Sequence, residues 1–129
     1  MSKLLVYFLL VSTVCIIQGH AQFNCFSCLG GPYTGCARVA SIDDVEMCST
    51  QCYESYVEYQ NGALKLIERR CWKPPQNTNH TNFCDWFRNS DILKNSNAKI
   101  KSCRVCKSDR CNGSKNLAPR PETCLYGAF

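Results

Sequence analysis

Cysteine is the residue type in this chain best equipped for chemistry. Twelve stand among 129 residues, against two histidines, and a thiol can form a disulfide, bind a metal or act as a nucleophile. Cys25-Phe-Ser-Cys28 and Cys103-Arg-Val-Cys106 each have the spacing of half a zinc site. A nucleophilic thiol would need a base oriented beside it, and beyond the apolar start the chain offers His80, with His20 only if cleavage falls earlier. A lone His in a polar loop is ordinarily just solvated. The cysteine spacing therefore carries the chemistry, and its compartment decides which chemistry applies.

That compartment is read from the N-terminus. Lys3 precedes an almost unbroken apolar run over residues 4–17, and Gly19-His20-Ala21 has the small-x-small form of a cleavage site. Residues 1–21 are expected to be a signal peptide, with the mature chain starting near Gln22, and the run is too short for a membrane span. Cys15 leaves with the leader, so eleven cysteines remain. A secreted, extracellular location makes disulfides, and not zinc or another cofactor, the expected use of these thiols.

The mature chain of about 108 residues is one domain, and the cysteine-bearing part is near the size at which an apolar core alone is marginal. Each bridge contributes on the order of 2–4 kcal/mol by restricting the unfolded chain. Five bridges would hold a thin, mostly two-layer structure. Charge is uneven: residues 22–60 carry one base against five acids, a net of −4, and residues 61–129 carry thirteen bases against five acids, a net of +8. Such asymmetry bears on steering and association, toward an acidic receptor face or anionic lipid, and otherwise is solvated surface. Nucleic acid is not an expected partner of a secreted chain without a recognised binding module.

Strand signals dominate, and the expected fold class is all-β, small and disulfide-rich. Residues 53–59 and 63–70 read as strands joined through Gln60-Asn61-Gly62, and Asn-Gly is the strongest short-range hairpin signal. A two-residue Asn61-Gly62 turn sets Glu58 opposite Lys65, Tyr56 opposite Ile67 and Glu54 opposite Arg69 on one face. Tyr59 then opposes Leu64, and Val57 opposes Leu66, on the other face. The two opposite-charge pairs and the two apolar pairs of the other face, each worth a few tenths to about 1 kcal/mol, favour this register over a one-residue slip. Leu29-Gly30-Gly31-Pro32 turns the chain after Cys28, and Pro74, Pro75 and the Asn/Thr-rich stretch to Asn82 form a polar loop. A third segment runs over residues 84–103, with Asn95-Ser96-Asn97 at its tip. One helical turn is expected at residues 91–94, and nothing longer.

The cysteines from Cys25 to Cys111, closed by Asn112, resemble the three-finger domain of the lymphocyte-antigen-6 and urokinase-receptor family, which includes snake neurotoxins. The marks are Cys25-x-x-Cys28, Cys71-Trp72-Lys73 and Cys106-x-x-x-x-Cys111-Asn112. Ten cysteines alone allow about 945 pairings, and sequence does not choose among them. The resemblance implies Cys25 with Cys52, Cys28 with Cys36, Cys48 with Cys71, Cys84 with Cys103, and Cys106 with Cys111. It also implies three fingers, over residues 28–48, the Asn61-Gly62 hairpin, and residues 84–103. The expected division is a signal peptide at 1–21, a three-finger domain at 22–113, and a flexible polar tail at 114–129. The phrase Cys103-x-x-Cys106-Lys-Ser-Asp-Arg-Cys111-Asn112-Gly113 is most similar to the arthropod Quiver/Sleepless-type branch, whose members modulate potassium channels and nicotinic acetylcholine receptors.

Two departures from that branch stand out. Relatives carry a hydrophobic tail replaced by a glycolipid anchor, whereas residues 117–129 include Pro119, Arg120, Pro121 and Glu122, which is not an anchor signal. Cys124 has no family partner, which leaves open a disulfide-linked homodimer, a free or capped tail thiol, or a re-paired framework. Of two sequons, Asn79-His80-Thr81 lies in a polar loop and is the expected glycosylation site. Asn112-Gly113-Ser114 overlaps the Asn that, in the family, hydrogen-bonds across the base of the fingers.

What this implies is a non-enzymatic binding protein that modulates a membrane receptor or ion channel. Contact residues are expected among Tyr56, Tyr59, Asn61, Leu64 and Lys65 of finger two and Trp86, Phe87 and Arg88 of finger three, because aromatic residues and Arg dominate hot spots. The competing expectation for the aromatics is that they cover a thin sheet. Alternatives are an exported toxin-like or defence factor of saliva, venom or seminal fluid, and a small secreted phospholipase. The phospholipase would need a His-Asp pair and a glycine-rich calcium loop, and here His80 is followed by Thr81.

Overall fold

A computed structural model describes residues 21–39, 42–115 and 117–118. Residues 1–20 of the expected leader, and Cys124, lie outside the described residues. Strands β1 (Phe23–Phe26), β2 (Cys28–Gly30), β3 (Val45–Cys48), β4 (Gln51–Tyr59) and β5 (Leu64–Trp72) come first, followed by helices α1 (Phe83–Asn89) and α2 (Asp91–Asn95) and strand β6 (Lys99–Cys106). β1 and β3 form a two-stranded antiparallel sheet, and the main sheet has the order β2-β5-β4-β6. The chain is a small disulfide-rich β protein with a short helical insert.

The β4–β5 hairpin follows the register set by its Asn-Gly turn, with Tyr59 opposite Leu64, Tyr56 opposite Ile67 and Glu54 opposite Arg69. Asn61 (φ 58°, ψ 31°) and Gly62 (φ 93°) both occupy the left-handed region, and the Ala63 N–H donates to the Gln60 carbonyl at 3.3 Å. Gln60 (φ 50°) is left-handed as well and Ala63 is right-handed helical (φ −66°, ψ −33°), so the connection is a four-residue loop over residues 60–63 that keeps the register expected of the two-residue turn. β4 also pairs with β6, with a bulge between Tyr56 and Val57. Each acid of β4 is thereby flanked by two bases, Glu54 by Arg69 and Arg104, and Glu58 by Lys65 and Lys99.

β4 is covered on both faces, so the molecule has three layers where the composition suggested two. Tyr53 and Val57 point to one side and pack with Trp72, Phe83, Cys84, Phe87 and Leu93. Tyr56 and Ile67 point to the other and pack with Cys36 and Leu117. Tyr53 and Phe83 stack with ring centroids 3.6 Å apart, and Phe83 stacks on Phe87 at 5.1 Å. Such aromatic pairs add about 0.5–1.5 kcal/mol beyond their buried area.

α1 corrects the expectation that no helix beyond a single turn at residues 91–94 would form. Asn82 caps it, its Oδ1 accepting from the Asp85 N–H at 2.9 Å while its Nδ2 donates to Asp85 Oδ2 at 2.8 Å. Phe83, Cys84 and Phe87 form the buried face, and burial of that face against the sheet stabilises a helix too short to persist alone. Gln51 fixes the approach, its Oε1 accepting from Phe83 N–H at 3.0 Å and its Nε2 donating to the Thr81 carbonyl at 3.2 Å.

Among the described residues there are five disulfides: Cys25–Cys52, Cys28–Cys36, Cys48–Cys71, Cys84–Cys103 and Cys106–Cys111. These are the pairs implied by the family pattern. Three of them gather in one cluster, because Cys52, Cys71 and Cys106 stand opposite one another where β4 begins and β5 and β6 end. The Cys28–Cys36 and Cys84–Cys103 bridges fasten the two flanking layers.

The centre of the sheet holds a buried ion pair that the register anticipated as an ordinary cross-strand contact. Arg69 is fully buried and its guanidinium meets the Glu54 carboxylate, which is 1% exposed. Arg69 also donates to the carbonyls of Cys36 (3.0 Å), Asn112 (2.7 Å) and Ser114 (2.9 Å). Glu54 accepts from Arg104 Nε at 2.7 Å, from the Ser114 N–H at 3.0 Å and from the Ser114 hydroxyl. Burial pulls the Arg69 pKa below its ordinary range, opposed by the adjacent carboxylate of Glu54. Asn112 completes the lock: its Oδ1 accepts from Phe26 N–H at 2.9 Å, and its Nδ2 donates to the carbonyls of Phe26 (2.9 Å) and Tyr53 (3.0 Å). Ser114 and the buried Leu117 are thus part of the packed body, which extends past the boundary expected at residue 113.

Candidate binding surface

The bridged end of the sheet and the hairpin tip lie at opposite ends of β4. From Cys52 to Tyr59 the strand advances roughly 23 Å at about 3.3 Å per residue. The tip is thus carried away from the sulfur cluster on a hydrogen-bonded ribbon paired on both sides. Beside it, Tyr59, Gln60, Leu64 and Leu66 face Asn95, Ser96 and Asn97 across an open, largely apolar groove of about 430 Å³. Asn97 Nδ2 donates to Asn61 Oδ1 at 3.3 Å, tying the third segment's tip to the turn.

Of the anticipated contact residues, Asn61, Leu64 and Lys65 are exposed, and Leu64 is open to 45%. Tyr59 is half-buried and lines the groove. Burial pushes its phenol pKa up, with the Glu68 charge adding to the effect. Arg88 is exposed on α1, 3.4 Å from Asp85. Tyr56 and Phe87 are corrections. Tyr56 is 2% exposed, packed on Ile67, with its hydroxyl donating to Glu58 at 3.1 Å, and Phe87 is held in the helix–sheet core. Each lies on an inward face because β4 has no solvent face and α1 turns its apolar side to the sheet. Trp86 is half-buried at the edge of that core.

Charge around the tip is basic. Lys65, Lys94, Lys99 and Lys101 are exposed, and Glu58, between the lysines, makes an ion pair with Lys101 at 3.9 Å and not with Lys65. The acids Asp43 and Asp44 lie in the first loop. Glu46 accepts from the Cys71 N–H at 2.7 Å, and Glu54 is neutralised inside the sheet.

Tyr33, Met47 and Ile92 are exposed apolar side chains that the motif reading passed over. Only Tyr33 carried a signal, standing just after the Gly30-Gly31-Pro32 turn. The two half-zinc spacings resolve into separate bridges, since Cys25 and Cys28 pair with different partners, as do Cys103 and Cys106. His80 is half-buried and its backbone N–H donates to Thr78 Oγ1 at 3.2 Å. The sequons separate sharply: Asn79 is exposed, whereas Asn112 is fully buried with both side-chain polar atoms engaged. No family model, curated protein or solved structure matches this chain.

Proposed function

We propose that this chain is a secreted three-finger domain that binds a membrane receptor or ion channel through the tip of its central hairpin. The observation that carries the reading is the tip itself. Leu64, Lys65 and Asn61 are exposed beside an apolar groove and are held far from the bridges by a strand paired on both sides. Three excursions, over residues 29–47, 53–70 and 85–102, leave a base closed by disulfides, which supports the three-finger assignment. A pre-ordered loop loses little freedom on association, so a small apolar and basic tip can bind well. The lysines around the groove favour an acidic receptor face.

The proposed activity is binding, and the ten thiols at the expected positions are engaged in bridges. The test is photo-crosslinking of tagged secreted protein to native membranes, followed by identification of the captured protein. Leu64→Ala with Lys65→Glu should weaken capture at least about tenfold, equivalent to about 1.4 kcal/mol. Undiminished capture by the double variant would remove the hairpin tip as the binding surface.

A further inference from the structure

A second groove lies on the helical side of the molecule, between the polar loop before α1 and the helices. It is open, about 600 Å³ in volume, and lined by Asn79, His80, Trp86 and Ile92 together with Pro75 and Asn89. That volume falls within the range of about 300–1,000 Å³ usual for small-molecule clefts, room for a sugar ring or two. Ile92 is open to 60% and Trp86 is half-buried, so the groove offers an indole and an aliphatic side chain to whatever fills it. The Asn79 sequon lies on the groove's own wall.

We infer that an N-linked glycan on Asn79 occupies this groove, its first sugar rings packing on Trp86 and Ile92. The acceptor geometry is favourable. Asn79 and Thr81 are both exposed, and the loop bearing them is ordered locally by the Thr78 N–H to Pro75 carbonyl bond (3.3 Å) and by the Gln51 bond to the Thr81 carbonyl (3.2 Å). A pyranose ring presents a face of C–H groups that packs on an indole while its hydroxyls stay in water, and His80 and Asn89 are polar side chains of the groove's lining. Asn112 is excluded as the acceptor in the folded state, because its amide nitrogen donates two buried hydrogen bonds. A sugar there would break the lock that joins Phe26 to Tyr53. With the groove filled by glycan, Trp86 leaves the surface available to a protein partner, and binding concentrates on the hairpin tip.

The inference rests on the secretory reading, and the experiment separates the two. The full chain is expressed in cultured animal cells once with its own leader and once behind an unrelated leader, and intact mass is measured before and after enzymatic glycan release. Protein exported only by the unrelated leader would sink the secretory reading while still testing the acceptor. One glycan, lost in Asn79→Gln and in Thr81→Ala, is expected; none, or one at Asn112, overturns the assignment. Seating in the groove is then read on folded protein by fluorescence quenching with a soluble quencher, before and after release. Trp72 is buried, so accessible emission reports Trp86. A loss of protection on release is expected, with slowed amide exchange over residues 83–95 in the glycosylated form. Quenching and exchange that do not change on release would mean that the glycan stands in solvent, and would overturn the seat.

Discussion

Arg69 and Glu54 show how a single pair can do two jobs that look alike in sequence. Their register position was legible from the Asn-Gly turn, but their burial was not. A charged pair on neighbouring strands ordinarily belongs to the solvent face, and what covers this one comes from residues 36, 112 and 114, distant in the chain. Removing one partner leaves a buried charge uncompensated, so Arg69→Met should cost about 3–5 kcal/mol in denaturant unfolding of the oxidised protein. Glu54→Met added to it should restore only part of that, because the carbonyls of Cys36, Asn112 and Ser114 stay without their donor. The tyrosines give a pH prediction. Burial raises the phenol pKa of Tyr53, Tyr56 and Tyr59 above the ordinary 10.0, so the folded protein holds these protons more tightly than the unfolded chain. The resulting stability is complete below pH 10 and is lost as pH rises beyond it. Phenolate absorbance followed together with circular dichroism should show the buried phenols ionising only as the fold opens.

Among the elements, the hairpin was the most legible, because turn chemistry and cross-strand pairing pointed to one register. Gly62, at φ 93°, tests that dependence: Gly62→Ala should cost about 1–2 kcal/mol of stability through left-handed strain alone. α1 was the least legible. Seven residues with three buried positions, Phe83, Cys84 and Phe87, give too short a period to distinguish from a strand beside a cysteine. The available signal was Asn82 three residues before Asp85, a capping pattern with Asp in place of the usual Glu. Asn82→Ala should therefore lower stability by about 0.5–2 kcal/mol, with the loss of amide protection concentrated in residues 83–89. The aromatics divided for the same geometric reason. Tyr59 sits at the end of β4, where cover runs out, whereas Tyr56 lies mid-strand beneath Leu117 and Cys36, and hot-spot composition cannot tell the two apart.

For the molecule as a whole, the cysteine pattern made a stapled β fold legible, while the third layer had no local signature. That layer comes from first-loop residues and a C-terminal segment closing over one face of the sheet. The bridges differ in what they restrain. Cys25–Cys52 spans 27 residues and Cys106–Cys111 only 5, so replacing the longer pair by Ala should cost about 1.5 kcal/mol more than replacing the shorter, by the loop-entropy scaling. Paired thermal denaturation of the two variants checks this. The separation of sulfur cluster from hairpin tip has a practical corollary. Nothing that closes the core lies in the segment between Tyr59 and Leu64, so foreign sequence spliced there would be displayed on a ready-made stem. A library randomised at Gln60 and Ala63, with Asn61 and Gly62 kept for the turn, should yield folded clones at high frequency, and recognition could then be reprogrammed by selection without revisiting the framework.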